Sequence, residues 1–387
     1  MDRRILTLAV GTFAIGTDGF VIAGVLPEIS QDLGIRIPQA GLLVTVFALV
    51  YALSAPVAGA FVTHFDRRRL LTVSMLVFAG ANLLATFAPN YGWLAFARVL
   101  AAVSAATYSP AAVGAAVQLS PPERRGRATS LVYGGLTLSL VTGVPIGSLL
   151  AHLGSWRATF AFITLVAVLA ALAVRLLLPV FAPAPSTSLR ARLAPLGRPV
   201  VVATLLSCFV WMAGGIAVYT YIALLVFAST GWSAAAVSPI LLLYGASAIV
   251  GNQLGGKLTD SKLGANRTLV GVLIVHAVAL VGLGVAATVG PPVGRVLSLV
   301  AIAGFAGAGW ACTPPQAFRL IALAPASTTE MLSLNTMATY LGISGGAALG
   351  ALVLGHAPVA ALGFVGAAAQ VVALAGVLMV DKRRTMG

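Results

Sequence analysis

The chain has 387 residues, of which 59% are hydrophobic and only 8% are charged, and its mean hydropathy is +1.02. Soluble domains carry roughly 25% charged residues, so this composition excludes a cytosolic enzyme, a disordered protein and a secreted disulfide scaffold. Lysine and arginine outnumber acids by 23 to 9, giving a net charge of +14. In a soluble protein, such an excess of positive charge would suggest binding to nucleic acid. Here the arginines separate apolar stretches, which indicates membrane topology and no nucleic-acid partner.

Apolar stretches of membrane-spanning length follow one another along the whole sequence. A span requires about 20 apolar residues, and at roughly 32 residues per span with its connection the chain accommodates twelve. The pattern therefore predicts an all-α membrane protein with twelve transmembrane helices. The first stretch holds an acid and lacks a cleavage site, so it is interpreted as a retained span and not as a signal peptide. The predicted spans are 5–27, 39–62, 70–88, 93–118, 128–150, 157–180, 199–227, 237–258, 268–289, 294–318, 330–354 and 359–380.

Basic residues are distributed unevenly between the two sides of the predicted membrane protein. Nineteen of the 23 lie on the side that contains both termini. Because cytoplasmic loops are enriched in lysine and arginine, this distribution predicts that both termini are cytoplasmic, and an even number of spans agrees with it. The four on or near the other side are Arg36, Arg98, Arg157 and Arg295.

A hydrophilic stretch rich in proline, serine and arginine, FAPAPSTSLRARLAPLGRP, lies near the middle of the chain. Such a stretch cannot continue a lipid-facing helix. It predicts an N-terminal six-helix bundle at 1–180, a cytoplasmic linker at 181–198 and a C-terminal six-helix bundle at 199–387.

Small residues recur at every fourth position in the fifth and eleventh predicted spans. Their offset of about 200 residues is expected of two parallel repeats, and such spacing lets helix backbones approach closely. The two stripes therefore predict a pair of tight helix seams at the boundary between the halves. The alternative is that glycine is simply common, with 42 in the chain. The stripes consist of Gly135, Ser139, Gly143 and Gly147, and of Ala338, Gly342, Gly346 and Gly350.

Four passages contain recognisable motifs. They are the first span and its exit, GTFAIGTDGFVIAGVLPEIS; the loop after the second span, GAFVTHFDRRRLL; the start of the fourth span, LAFARVLAA; and the fifth-span segment GVPIGSLL. Together they resemble the major facilitator superfamily, specifically its twelve-span drug:proton antiporters, and are similar to bacterial chloramphenicol-resistance and sugar-efflux permeases.

The loop after the second span carries the family's cytoplasmic motif in a modified form. Gly59, Arg67 and Arg68 match it, whereas Thr63 stands in place of the usual acid and Asp66 in place of the usual glycine. The second half has a closer match, a fragment that begins at Gly256 and ends at Asp260.

The resemblance implies two pseudo-symmetric six-helix bundles that transport by alternating access, as a monomer in the bacterial cytoplasmic (inner) membrane. Gly143, Pro145 and Gly147 match the antiporter signature, for which the resemblance implies a hinge or a seal against proton leakage. The alternative for Pro145 is a static kink.

Asp18 is the one acid of nine that is predicted to lie deep in a span, about 3 Å from its midpoint. A charge at that depth costs about 2.5–3.5 kcal/mol on insertion scales, and burial of a carboxyl favours its protonated form. An acid that is neutral when buried and charged when wetted suits a proton-coupled carrier. The alternative is a carboxyl permanently hydrogen-bonded to the backbone or to Thr17.

Arg98 lies about 8 Å inside the external end of the fourth span and matches the family's membrane arginine. Arginine stays protonated, so its side chain either extends to the headgroups or finds a partner. Asp18 lies at comparable depth, and the resemblance places both spans at the central cavity. We therefore expect Asp18 and Arg98 to carry the proton coupling.

Eight aromatic and polar residues at mid-depth are candidate substrate contacts. Aromatic rings pack against apolar drugs, and tyrosine and tryptophan also offer a hydrogen-bond donor. The alternative for each is ordinary packing. The eight are Tyr51, Tyr108, Trp211, Tyr219, Tyr244, Trp310, Asn335 and Tyr340.

These features predict a secondary active transporter and not an enzyme. No metal-ligand spacing, P-loop or catalytic triad is present, so the expected energy source is a proton gradient, without a bound cofactor. The predicted cargo is a small amphipathic molecule, with phenicol-like drugs favoured, because the spans are poor in the asparagine and glutamine that sugars require. The alternatives are a proton-coupled sugar or nucleoside exporter, and a membrane receptor or scaffold that does not transport.

Overall fold

The computed structural model describes residues 3–61, 66–181 and 188–385. Within these ranges it contains twelve helices that are long and apolar enough to cross a membrane, which confirms the predicted fold class. They are α1 Arg4–Asp32, α2 Ile37–Ala58, α3 Arg67–Thr86, α4 Tyr91–Gln118, α5 Arg125–Leu153, α6 Trp156–Leu177, α7 Pro199–Tyr219, α8 Ala234–Asp260, α9 Gly264–Val289, α10 Val293–Leu323, α11 Thr328–His356 and α12 Ala361–Asp381.

Several helices differ from the continuous spans predicted by hydropathy. The seventh, predicted to run to residue 227, ends at Tyr219, and a separate helix Ile222–Thr230 follows it. The tenth is divided at Cys312 into Val293–Ala311 and Thr313–Leu323, where two prolines begin the second part. Hydropathy cannot detect such breaks because the residues on both sides are equally apolar. The remaining short helices are Pro122–Arg124, Leu189–Leu193, Ala194–Gly197 and Pro325–Ser327, and a further one, Ala234–Ala236, forms the first turn of α8.

Helix α5 contains a π turn at Ser139–Gly143, between regular segments Arg125–Leu138 and Val144–Leu153. Pro145 has no backbone N–H, so it cannot donate to the carbonyl four residues earlier. The N–H of Val144 instead donates to the carbonyl of Ser139, five residues earlier. The helix therefore continues through Pro145 with one widened turn.

The packing of the first six helices is repeated in the last six. In the first group α1 packs on α5 and α6, α2 on α4, and α3 on α4 and α6; in the second, α7 packs on α11 and α12, α8 on α10, and α9 on α10 and α12. The linker helix Leu189–Leu193 contacts α2 and α11. The limits of the linker stay a prediction, because residues 182–187 lie outside the described residues, as do Thr63 and His64 of the first motif loop.

The two halves meet along α2 with α11 and along α5 with α8. Thr45 of α2 donates to the carbonyl of Ser344 at 3.3 Å, and the Ser344 hydroxyl donates back to the carbonyl of Thr45 at 3.2 Å. On the other contact, the Ser238 hydroxyl donates to the carbonyl of Pro145 at 2.8 Å. Helix α8 packs against residues 139–153 of α5. This is the part farther from the face that carries both chain termini.

Candidate functional site

Asp18 of α1 and Arg98 of α4 form a buried ion pair, and their relative exposures are 0% and 1%. The Arg98 Nη1 donates to the Asp18 Oδ1, and its Nη2 donates to the backbone carbonyl of Asp18 at 3.3 Å. The guanidinium fork is thus held on one residue of α1. The pairing expected from their depth is present, and Arg98 does not extend toward solvent.

The ring of Phe47 in α2 packs against the guanidinium of the ion pair. The Arg98 guanidinium carbon lies 4.3 Å from the centre of the Phe47 ring, a cation–π distance. The Asp18 Oδ2 and the Arg98 Nε have no hydrogen-bond partner among the described residues. One carboxylate oxygen therefore remains available to accept a hydrogen bond or a proton.

A cavity lies between the two halves, and Phe47 is one of its lining residues. The cavity volume is about 20 Å³, which is enough for roughly one water molecule. A larger molecule therefore requires the cavity walls to separate. Among the described residues the lining is almost entirely hydrocarbon and aromatic and includes no charged side chain. It comprises Ile15, Gly16, Gly19, Phe20, Ala23, Val44, Phe47, Leu136, Ile216, Tyr219, Thr220, Tyr340 and Ile343.

Five of the eight predicted substrate contacts lie at this cavity or directly behind its wall. Tyr219 and Tyr340 line it. Tyr51 stacks on Tyr340 with 3.6 Å between ring centroids, and Tyr244 lies 4.7 Å from Tyr219. Trp310 lies 6.1 Å from the ring of the lining residue Phe20.

The other three predicted contacts lie elsewhere. Tyr108 is fully buried between α4 and α1, where its hydroxyl donates to the carbonyl of Leu8 at 3.2 Å. Trp211 packs toward α12, and its carbonyl accepts from Gln370 at 3.0 Å. Asn335 is half-buried in α11 and outside the lining. Mid-depth alone did not separate these residues from the five at the cavity, because depth says nothing about which way a side chain faces.

The small-residue stripes pack within each half, so the predicted seams at the boundary between the halves are wrong. On α5, a Cβ at Gly135 would overlap the carbonyl of Ala9, and one at Gly143 would overlap the hydroxyl of Thr17, both in α1. Five further stripe positions follow the same pattern: Ser139 lies against Gly16 of α1, Gly147 against Val21 of α1, Gly342 against Phe209 of α7, Gly346 against Ala213 of α7, and Gly350 against Ala217 of α7.

Asp66 connects the start of α3 to the segment that follows α6. Its carboxylate accepts the N–H groups of Arg68 and Arg69, both at 3.2 Å, and that of Phe181, after α6, at 3.0 Å. Partial burial acts to raise the pKa of Asp66. The N–H bonds from Phe181, Arg69 and Arg68, with the charge of Arg68, outweigh it and lower the pKa below its ordinary value.

The other motif residues are arranged differently in the two halves. Arg67 lies over Gly114 of α4, and Gly59 lies in the last turn of the second helix, which extends to Phe61. In the second half Asp260 is exposed at the end of α8, and open space surrounds the position of a Cβ at Gly256.

Several residues of the site were not identified from the sequence. Phe20, Phe47 and Thr220 line the cavity, but apolar residues facing a cavity and those facing a helix have the same composition. His276 of α9 is buried and stacks on Phe305, with 5.3 Å between ring centroids. A line of aromatic rings joins it to the cavity, since Phe305 lies 5.5 Å from Tyr244.

The sequence profile of the Major Facilitator Superfamily matches residues 8–347. The chain belongs to this superfamily. It is 31% identical over 377 residues to the uncharacterized MFS-type transporter YbcL of Bacillus subtilis (strain 168), covering 97% of this chain and 95% of the relative. It is also 31% identical over 360 residues to the chloramphenicol resistance protein of Streptomyces lividans, covering 92% and 90%.

The fold is similar to that of solved members of the superfamily. The crystal structure of a D-xylose-proton symporter superposes with a TM-score of 0.77 at 17% identity, covering 96% of each chain. At this identity the likeness shows the fold alone. Superfamily membership and the twelve apolar helices together identify the chain as a multi-pass membrane transporter.

Proposed function

We propose that this transporter exports small amphipathic molecules, phenicol-like drugs above all, from the bacterial cytoplasm in exchange for protons. The observation that carries the proposal is the buried Asp18–Arg98 pair, which packs against the cavity-lining residue Phe47. One aromatic ring thus contacts both the ion pair and the apolar cavity. Occupancy of the cavity and protonation of the pair therefore influence each other.

The coupling follows from charge balance. With Asp18 ionised, its charge neutralises that of Arg98 in a dry site; with Asp18 protonated, the guanidinium is left buried without a counter-ion, which is strongly unfavourable. Protonation therefore favours a state in which water reaches Arg98. Because Arg98 rests on Phe47, its movement changes the wall of the cavity and so its affinity for cargo.

The packing between the halves supports a direction. The contacts from Thr45 to Ser344 and from Ser238 to Pro145 lie away from the face that carries both termini. If the excess of positive charge places that face in the cytoplasm, the closed side is the external one. Separation of the cavity walls on the cytoplasmic side would then admit cargo, as a monomeric exporter requires.

The apolar lining favours an amphipathic cargo over a sugar or nucleoside. A polyhydroxylated molecule needs several polar side chains around it, whereas Thr220, Tyr219 and Tyr340 supply the side-chain hydroxyls of the cavity. A receptor or scaffold that does not transport would tolerate the loss of Asp18 or Arg98, and both are present. The relative named as a chloramphenicol resistance protein makes phenicols the first compounds to test.

The proposal is tested in proteoliposomes with an imposed proton gradient and radiolabelled chloramphenicol. The parent is expected to concentrate chloramphenicol against its gradient, with proton movement in the opposite direction. Asp18→Asn should abolish uphill transport while leaving exchange down the chloramphenicol gradient. Glu123→Gln, which neutralises an exposed acid in the loop before α5, is the matched control and should behave like the parent. Normal uphill transport by Asp18→Asn would contradict the proposal.

A further inference from the structure

Thr220 presents a buried hydroxyl at the cavity whose hydrogen-bonding capacity is unused. The residue lines the cavity and is 1% exposed, and its Oγ1 has no partner among the described residues. A buried hydroxyl without a partner is unfavourable, and nearly all such groups in proteins are satisfied. Its position indicates that a bound molecule supplies the partner.

Several other buried threonines satisfy their hydroxyls within their own helices, whereas Thr268 of α9, which also has no partner among the described residues, lies outside the cavity lining. A helical threonine commonly donates to the carbonyl four residues earlier. Thr204, also in α7, donates in this way to Val200 at 2.7 Å, and Thr17 of α1 donates to Phe13 at 2.9 Å. Thr220 stands directly after the end of α7, before the helix Ile222–Thr230 begins. At this break its side chain borders the cavity and makes no such bond.

The rest of the lining restricts what the hydroxyl can recognise. The neighbouring Tyr219 hydroxyl already donates to the carbonyl of Phe20 at 3.1 Å, and the Tyr340 ring is stacked on Tyr51. No charged side chain in the described part of the chain lines the cavity, and the nearby carboxylate of Asp18 is paired with Arg98. A permanently charged ligand would therefore lie unpaired in an apolar space, which is costly.

We propose that Thr220 is the polar anchor of the transport site. Its ligand is an uncharged, mostly apolar molecule that places a single hydroxyl, amide or nitro group against the Thr220 hydroxyl. The apolar wall supplies affinity, and the one polar contact fixes orientation, the usual division of roles in small-molecule sites. This inference rests on the proposed function and adds the chemical class of the substrate to it.

The test is equilibrium binding of chloramphenicol, an uncharged molecule with hydroxyl, amide and nitro groups, to the purified full-length protein. Thr220→Val replaces the hydroxyl with a methyl group of similar shape and should weaken binding roughly three- to tenfold, the equivalent of one neutral hydrogen bond. Thr220→Ser keeps the hydroxyl and should bind within about twofold of the parent. Thr204→Val makes the same change in α7 at a hydroxyl satisfied by its own helix, and should bind like the parent.

Two outcomes separate this inference from the proposed function. If Thr220→Val binds chloramphenicol as tightly as the parent, which itself still exports the drug, the anchor is wrong and the proposed function stands. If the parent neither binds chloramphenicol nor exports it, both fail together. Equal weakening in Thr220→Val and Thr204→Val would indicate general loosening of α7 and would also overturn the anchor. Recovery of affinity in Thr220→Ser is the result that supports it.

Discussion

Tyr51 of α2 and Tyr340 of α11 stack across the boundary between the two halves, with ring centroids 3.6 Å apart and planes 11° from parallel. Tyr340 lines the cavity, whereas Tyr51 also lies 6.3 Å from Phe47, which in turn covers Arg98. A short series of rings thus joins the ion pair inside the first half to a helix of the second half.

The stack should contribute to holding the halves together in this state. Aromatic pairs are worth about 0.5–1.5 kcal/mol beyond their burial, so a double-mutant cycle of Tyr51→Ala and Tyr340→Ala should give a coupling free energy in that range. The measurement is unfolding of the purified protein in detergent. Tyr340→Phe, which keeps the ring, should retain most of the coupling. Additive single substitutions would show that the stack contributes nothing.

Removing Arg98 should destabilise the protein mainly through the charge that it leaves behind. Arg98→Ala strands the Asp18 carboxylate in a dry site, at a cost of about 3–5 kcal/mol at neutral pH, and should abolish uphill transport. Arg98→Lys keeps the charge without the planar fork and should retain partial activity. Adding Asp18→Asn to Arg98→Ala should recover much of the stability but none of the coupling. Failure of the second substitution to restore stability would argue against a charge effect.

Enlarging Gly143 should disturb α1 beside the ion pair. A Cβ there would overlap the hydroxyl of Thr17, the neighbour of Asp18, and overpacking of this kind costs about 1–3 kcal/mol. Gly143→Ala is therefore expected to lower the unfolding temperature and to impair uphill transport. Gly134→Ala, on the same helix but with open space at the Cβ position, is the matched control. It should leave both properties near those of the parent.

Asp66 should stabilise the protein in a pH-dependent way. Its pKa is lower in the folded protein than in the unfolded chain, so its contribution is fully present above the unfolded value, near 3.9, and is lost as the pH falls through the folded value. Asp66→Ala should cost about 0.5–2 kcal/mol at pH 7, as loss of an N-cap does, and the difference from the parent should shrink below about pH 4. Unfolding temperatures measured across pH check this. Asp66→Asn keeps an acceptor and should cost less.

The sequence was informative where a physical requirement left few solutions. Buried charges need partners, and with Asp18 as the one deep acid its pairing with Arg98 could be predicted. The spacing of Gly135 and Gly143 predicted close helix approach, but spacing does not specify the partner, and the assignment to the boundary between the halves was wrong. The role of Thr220 could not be predicted from the sequence, because only the break after α7 distinguishes it from a threonine whose hydroxyl is bonded within its own helix.

The π turn of α5 has a consequence for how a sequence repeat is read in three dimensions. In a regular α-helix, positions four residues apart differ by about 40° around the helix axis. A stripe from Gly135 to Gly147 would therefore turn away from a straight neighbouring helix within three turns. One extra residue accommodated at Ser139–Gly143 compensates for that drift. Both ends of the stripe therefore meet α1, at Ala9 and at Val21. The irregular turn thus keeps the segment after it in phase with α1, whereas one residue added to a regular part of the helix would rotate everything after it by about 100°.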